Sequence, residues 1–98
     1  MNINIEKTNG AVLMSLEGRL DTTTAPELET AINNEGETLK SLVLDFGGVD
    51  YISSAGLRVL LTAQKKMNVQ GNMELTNVSE AVMDIFEMTG FADILVIK

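Results

Sequence analysis

The chain has 98 residues, of which 45% are hydrophobic and 21% charged, and its 14 acidic and 7 basic side chains leave a net charge of −7. This length and composition predict one small folded domain, and the excess of acidic groups argues against nucleic acid as a partner. Cysteine and histidine are both absent, so disulfides are excluded and no thiolate or imidazole can ligate a metal; we expect no cofactor and no metal.

The first part of the chain predicts an antiparallel β-hairpin. Ile3 and Ile5 alternate with polar side chains, and the turn signal Thr8-Asn9-Gly10 follows. The segment from Ala11 to Glu17 then places its apolar residues at every second position. Such alternation is typical of strands that bury one face.

The first helix is predicted to begin after Thr24, which would be its N-cap residue. Glu27 stands three positions later, as in a capping box, and Pro26 suits the first turn. The segment 33–36 (NNEG) ends this helix. The run from Leu39 to Phe46 is too continuously apolar for a one-faced strand and predicts a central strand covered on both faces.

The second half of the chain alternates helices with short strands. Helical spacing runs from Leu57 to Met67 and stops at Gly71, a short strand follows, and a third helix ends at Gly90. Ile94 to Ile97 is predicted as a final strand or extended tail. The order β-β-α-β-α-β-α-β predicts one α/β domain over residues 1–98, with a mixed, mostly parallel sheet of four to five strands.

No segment has the pattern of a targeting or membrane-spanning sequence. The N-terminus carries neither a basic region nor an apolar core of the kind that signal peptides contain. The apolar runs are far shorter than the roughly 20 residues that cross a bilayer. We therefore expect a cytoplasmic protein with no membrane insertion.

Two serines, Ser53 and Ser54, stand where the central strand is predicted to end and the second helix to begin. In open α/β sheets this end of a strand commonly carries functional loops. Three interpretations are open for these hydroxyls. A serine hydroxyl here can cap the helix, act as a nucleophile, or serve as a site of covalent modification.

The nucleophile interpretation has little chemical support. A catalytic serine needs a neighbouring base, and the chain contains no histidine. Ile52 stands where a nucleophile elbow places its first glycine. Lys65 and Lys66 remain as conceivable bases, but both belong several turns along the following helix.

Modification offers a physical switch at the same position. A phosphoryl group on a serine at a helix N-terminus adds close to two negative charges and three acceptor oxygens, which the helix dipole tolerates. A partner whose docked face is acidic or apolar does not tolerate them. Phosphorylation can therefore release a complex without unfolding the domain.

Three aspartates near these serines raise the question of a cation site. Asp21, Asp45 and Asp50 would form a carboxylate cluster for a divalent ion if they converged. Aspartates in exposed turns are the commoner explanation, and we prefer it.

Four segments taken in order bear a resemblance to a known family: 18–21 (GRLD), 44–46 (LDF), 49–57 (VDYISSAGL) and 88–91 (MTGF). Together they resemble the STAS domain of bacterial anti-sigma factor antagonists over almost the whole chain. The resemblance implies a non-enzymatic protein that binds an anti-sigma factor carrying a GHKL-type serine kinase domain and so frees a sigma factor. Phosphorylation by that kinase ends the interaction, and a PP2C-type phosphatase resets it; the antagonist itself is a monomer or weak dimer.

The resemblance also implies site residues. The family's acceptor serine lies two residues before the glycine of its SxGL motif, which here is Ser54, with Ser53 the less favoured alternative. Many members have Asp in place of Ser53. The implied partner-binding residues are Gly18, Asp21, Asp50, Ser53, Ser54, Gly56, Leu57 and Arg58.

Arg58 stands where some members have a small residue. Its guanidinium suits a phosphoryl group or an acidic partner residue, although a solvated surface arginine is the preferred interpretation. A second function remains open beside the antagonist role: a STAS interaction module of a transporter-associated or multi-STAS signalling assembly. The third possible function is an enzyme that uses Ser54 as its nucleophile.

Overall fold

A computed structural model describes all 98 residues as four strands, three α-helices and two short 3-10 segments. The strands and α-helices run in the order β1 Asn2–Thr8, β2 Ala11–Leu20, α1 Ala25–Asn33, β3 Ser41–Ile52, α2 Ser54–Gln70, β4 Asn72–Thr76 and α3 Glu80–Thr89. The 3-10 segments are Gly36–Thr38 and Phe91–Asp93. The predicted single α/β domain is confirmed.

The four strands form one mixed sheet in the order β1-β2-β3-β4. β1 and β2 pair antiparallel, and the other two pairs are parallel. Asn9 and Gly10 both have positive φ angles, of 42° and 84°, as the predicted tight hairpin turn requires. The predicted last strand is reduced to one parallel bridge between Leu75 and Ile97, and Ile94 before it has a helical backbone conformation.

All three helices pack on one face of the sheet. The two parallel connections, through α1 and α2, step across the sheet in the same direction, so right-handed crossovers place both helices on the same side. Phe86 of α3 packs against Phe46 of β3 on this side, with ring centroids 6.3 Å apart. The sheet therefore has one covered face and one open face.

The prediction that β3 is covered on both faces is wrong. Leu42, Leu44 and Phe46 are fully buried under the helices, whereas Val43 and Asp45 alternate with them and remain partly exposed on the open face. The apolar character of the run misled the prediction because Val43 lies on the face that no helix covers. The residue that pairs with Val43 on β2 is Leu13, which is also partly exposed.

β3 is also longer than predicted. It continues through Gly47 and Gly48 to Ile52, because its later residues still pair with the end of β2. The pairing between the two strands shifts register between Ser15 and Glu17 and again between Gly18 and Leu20. Because the strands are parallel and stay paired up to Leu20 and Ile52, their ends lie at the same edge of the domain, where the predicted site residues lie.

Candidate functional site

The site is built where β2 and β3 end side by side. Leu20 and Ile52 are partners in the parallel pairing, and the backbone N–H of Ser53 donates to the carbonyl oxygen of Leu20 at 2.9 Å. The end of β2, which contains Gly18, and the following loop, which contains Asp21, thus lie next to the segment that opens α2. The structure brings together the two motifs that lie more than thirty residues apart in the sequence.

Ser53 is the N-cap of α2. Its backbone is extended, with φ −98° and ψ 175°, and its Oγ accepts a hydrogen bond from the N–H of Gly56 at 3.4 Å. The cap occupies the hydroxyl of Ser53, and that side chain is half-buried. Of the two serines that the sequence left open as caps, the structure selects the first.

Ser54 is the first residue of α2, and its side chain is exposed. Its hydroxyl makes no hydrogen bond with the rest of the chain. The helix has 17 residues and no acidic side chain in its first turn, so the positive end of its dipole is not neutralised there. An anionic group attached to Ser54 Oγ would therefore meet a favourable field.

Arg58 lies one helical turn after Ser54 and is exposed. Side chains four residues apart share one face of a helix. Arg58 is thus on the same face as the Ser54 hydroxyl and forms no ion pair within the chain. Asp50, near the end of β3, is exposed as well.

Gly56 and Leu57 are buried beneath this surface rather than on it. A Cβ atom on Gly56 would lie 2.8 Å from side-chain carbons of both Leu20 and Ile52, and 3.1 Å from the Leu20 carbonyl oxygen. Leu57 is 9% exposed and belongs to the core. The two residues seat the first turn of α2 on the strand ends, so their contribution is to position the exposed serine.

Asp21 organises the loop between β2 and α1. Its Oδ1 accepts the backbone N–H groups of Thr23 and Thr24 at 3.0 and 3.1 Å, and the hydroxyl of Thr23 at 2.8 Å. These hydrogen bonds, led by the one from the Thr23 hydroxyl, lower the pKa of Asp21 below its ordinary value of 3.8. Asp21 is therefore held as a carboxylate at neutral pH.

Thr24 is the N-cap residue of α1, as predicted, but its side chain does not make the predicted capping hydrogen bond. Its hydroxyl donates to the carbonyl oxygen of Arg19 at 2.6 Å and accepts the N–H of Asp21 at 2.8 Å, so it faces back into the loop and makes no cap bond to α1. Gly18 lies near the end of β2, just before the loop, with φ +120°, a conformation that side-chain-bearing residues rarely adopt. The loop shape thus depends on Gly18, Asp21 and Thr24 together.

The structure adds Arg19 and Tyr51, which the sequence reasoning did not single out. The guanidinium carbon of Arg19 lies 4.2 Å from the centroid of the Tyr51 ring, a cation–π contact, and Arg19 Nε is 3.8 Å from Asp21 Oδ2. Tyr51 is 37% exposed. Each residue directly precedes one member of the Leu20–Ile52 pair, so the strand register was the signal that would have revealed them.

The three aspartates do not converge on a cation site. Asp45 Oδ1 accepts the N–H of Gly47 at 2.8 Å and the Asn77 amide at 3.0 Å, and these hydrogen bonds, the Asn77 one first, lower its pKa below 3.8. Asp21 is used in its own loop. No group of three or more carboxylates lies close enough to hold a metal ion. The preferred interpretation, an aspartate in a turn, is confirmed for Asp21, whereas Asp45 lies within β3.

The arrangement gives Ser54 no general base. Lys65 and Lys66 lie eleven and twelve residues along the same helix, which at 1.5 Å per residue is roughly 17 Å from Ser54. A lysine side chain at that distance does not reach the hydroxyl. Neither lysine can therefore act as the base for Ser54.

This chain belongs to the STAS domain family: residues 2–98 match the sequence model of the STAS domain. That is the family expected from the ordered motifs. None of its helices is both long and apolar enough to cross a membrane.

Among curated proteins, the chain is 37% identical to BtrV of Bordetella bronchiseptica, a candidate anti-sigma factor antagonist, over 96% of this chain and 83% of that protein. It is 28% identical to the anti-sigma-B factor antagonist of Bacillus subtilis, over 97% of this chain and 88% of that protein. Both relatives are matched over most of their length.

Among solved structures, the fold is similar to that of the anti-sigma factor antagonist SpoIIAA in its unphosphorylated form, with a TM-score of 0.83 and 20% identity over 99% of this chain and 88% of that chain. The phosphorylated form of SpoIIAA, from Bacillus, gives a TM-score of 0.77 and 19% identity over 99% of this chain and 91% of that chain. At these identities the likeness shows a shared fold.

Proposed function

We propose that this chain is a cytoplasmic anti-sigma factor antagonist, a binding protein without catalytic activity of its own. In its unphosphorylated form it binds an anti-sigma factor that carries a GHKL-type serine kinase domain, and a sigma factor is freed. Phosphorylation of Ser54 ends the complex. The observation that carries the proposal is the free, exposed hydroxyl of Ser54 at the first position of α2, next to the N-cap Ser53 and the Asp21 loop.

Ser54 suits the acceptor role better than Ser53. The Ser53 hydroxyl accepts the N–H of Gly56, and a phosphoryl group there would have to preserve that cap inside a half-buried site. The hydroxyl of Ser54 has no such partner. A kinase can approach it from solvent without disturbing the helix.

The switch then acts on the surface and leaves the fold intact. The buried Gly56 and Leu57 keep the first turn of α2 in place, while a phosphoryl group on Ser54 adds close to two negative charges. The surface around it already carries the carboxylates of Asp21 and Asp50. A partner that docks over Ser54 loses its fit by direct steric and electrostatic conflict.

The proposal extends to the remaining components of the switch. A PP2C-type phosphatase removes the phosphoryl group and restores binding. The partner contacts are expected at Gly18, Asp21, Asp50, Ser53, Ser54 and Arg58, supported from below by Gly56 and Leu57. Two similarities support this proposed switch. The curated relatives are named as anti-sigma factor antagonists, and SpoIIAA, which has a similar fold, is known in a phosphorylated and an unphosphorylated form.

The test is a phosphorylation assay with the GHKL-type kinase whose gene lies nearest to this one, using intact-mass and peptide mass spectrometry. We expect one phosphoryl group on the peptide that spans Tyr51 to Arg58. Ser54→Ala should abolish incorporation and keep binding to the kinase, and Ser54→Asp should weaken binding at least tenfold.

The matched control is Ser53→Asp, since Asp caps helices as well as Ser and removes the second hydroxyl. Incorporation that continues in Ser53→Asp and stops in Ser54→Ala assigns the acceptor. Equal binding by the wild type, Ser54→Ala and Ser54→Asp would show that Ser54 is no switch. Stable copurification with transporter subunits and no kinase would favour the STAS interaction module of another assembly.

A further inference from the structure

The outer edge of β1 has no partner. β1, Asn2–Thr8, is the first strand of the sheet and pairs only with β2. The opposite edge differs, because β4 is partly covered by the bridge between Leu75 and Ile97. Every second backbone N–H and carbonyl along the seven residues of β1 therefore points toward solvent.

β1 lacks two of the usual features that protect an edge strand and keeps a third, a lysine near one end. It contains no proline and no bulge, and its pairing with β2 is regular from Asn2 to Thr8. Its two charged residues, Glu6 and Lys7, stand together near one end. The stretch from Asn2 to Ile5 is uncharged, and Ile5 is 37% exposed.

We propose that β1 is a self-association surface, on which a second copy of this chain pairs its own β1 antiparallel about a two-fold axis at Asn4. The two four-stranded sheets then join into one sheet of eight strands. The helices of both copies lie on the same face of that sheet, because residues directly opposite in an antiparallel pair share a face.

The side chains of β1 are complementary to themselves in this register. Ile3 of one copy lies opposite Ile5 of the other, on the covered face, where their neighbours on β2 are the buried Leu16 and Met14. An apolar row therefore runs without a break from one core to the other. Cross-strand pairs of this kind stabilise a sheet.

The open face of the same pairing is also matched. Asn4 lies opposite Asn4 of the second copy, and Asn2 lies opposite Glu6, which pairs an amide with a carboxylate. Shifting the axis to Ile5 would place Ile3 against Lys7 instead, which removes the apolar row. The strand thus favours one symmetric register, in which no two side chains of like charge lie directly opposite each other.

Charge and area limit the strength of this dimer. Two seven-residue strands bury less surface than the roughly 1,200 Å² of a stable complex, and each copy carries a net charge of −7. We expect a reversible dimer that forms at high protein concentration and strengthens with added salt, because salt screens the repulsion between the two acidic domains. Ser54 lies at the end of β3, two strands from the joint, so the dimer leaves both switch surfaces open.

The experiment is sedimentation equilibrium of the 98-residue chain over a concentration range that reaches millimolar protein. The weight-average mass should rise from 10.6 kDa toward twice that value. Asn4→Lys places like charges directly across the axis and should weaken association about fivefold or more, even though it lowers the net negative charge. An equimolar mixture of Asn4→Lys and Asn4→Asp should regain or exceed wild-type association.

The control is Asn72→Lys, the same exchange at an exposed residue on the opposite edge of the sheet. It should associate like the wild type, and all variants should keep the native circular dichroism spectrum. A wild type that stays at 10.6 kDa throughout would overturn the proposal. It is equally overturned if Asn4→Lys associates as the wild type does, if the charge-swapped mixture gains nothing, or if Asn72→Lys loses association as well.

Discussion

Replacing Ser53 by alanine should destabilise the domain, whereas replacing Ser54 should not. The Oγ of Ser53 satisfies the N–H of Gly56, one of the backbone donors that a helix start leaves free, and alanine has no oxygen to do so. Loss of an N-cap costs about 0.5–2 kcal/mol, and the 3.4 Å length of this hydrogen bond places the cost near the lower end, about 1 kcal/mol. In a domain of this size that lowers the melting temperature by roughly 4–8 °C.

Thermal and urea unfolding of three variants measure the difference. Ser53→Ala should lose about 1 kcal/mol, Ser53→Asp should stay within about 0.5 kcal/mol of the wild type because Asp caps equally well, and Ser54→Ala should be close to neutral because its hydroxyl has no partner. The assignment of the two serines would be refuted if Ser54→Ala cost as much as Ser53→Ala. It would be refuted equally if Ser53→Asp were as unstable as Ser53→Ala.

Two further predictions concern the support of the site. Gly56→Ala should lower the free energy of unfolding by about 1–3 kcal/mol, because the added Cβ would lie 2.8 Å from side-chain carbons of Leu20 and Ile52. The measurement is the urea midpoint, which should fall. An unchanged midpoint would mean that the first turn of α2 is free to move. The pKa values of the Asp21 and Asp45 carboxylates are lowered in the folded state. Their stabilising contribution is therefore complete above pH 3.8 and is lost as the pH falls from there toward their folded-state pKa values. Asp45→Asn should therefore show a smaller loss of stability between neutral pH and acid than the wild type, measured by urea unfolding.

The hairpin and the order of the first seven elements, from β1 to α3, were predictable because their signals are local. Asn9 and Gly10 tolerate the positive φ angles of a tight turn, and the residues on both sides alternate at the strand period. The extension of β3 to Ile52 was not predictable in that way. Gly47, Gly48 and Asp50 have turn propensity, and only pairing with the end of β2 keeps them in the strand.

The details of the candidate site depend on features that the sequence does not show. Ser53 and Ser54 have the same chemistry, and the choice between them rests on the extended backbone of Ser53. Thr24 and Asp21 are likewise both residues that favour loop and cap positions, and the structure uses Asp21 to bind the loop amides. The Arg19–Tyr51 contact requires the register between β2 and β3, two strands that the sequence separates by a helix.

The burial of Gly56 and Leu57, the neighbours of Ser54, supports the switch proposed at this serine. A modification changes binding sharply only if the modified residue cannot move away from the partner. Gly56 has no room for a side chain, and Leu57 is anchored in the core, so the start of α2 is fixed against the ends of β2 and β3. Ser54 is therefore an exposed group on a rigid base, and a charge added there must be met by the partner rather than absorbed by the domain.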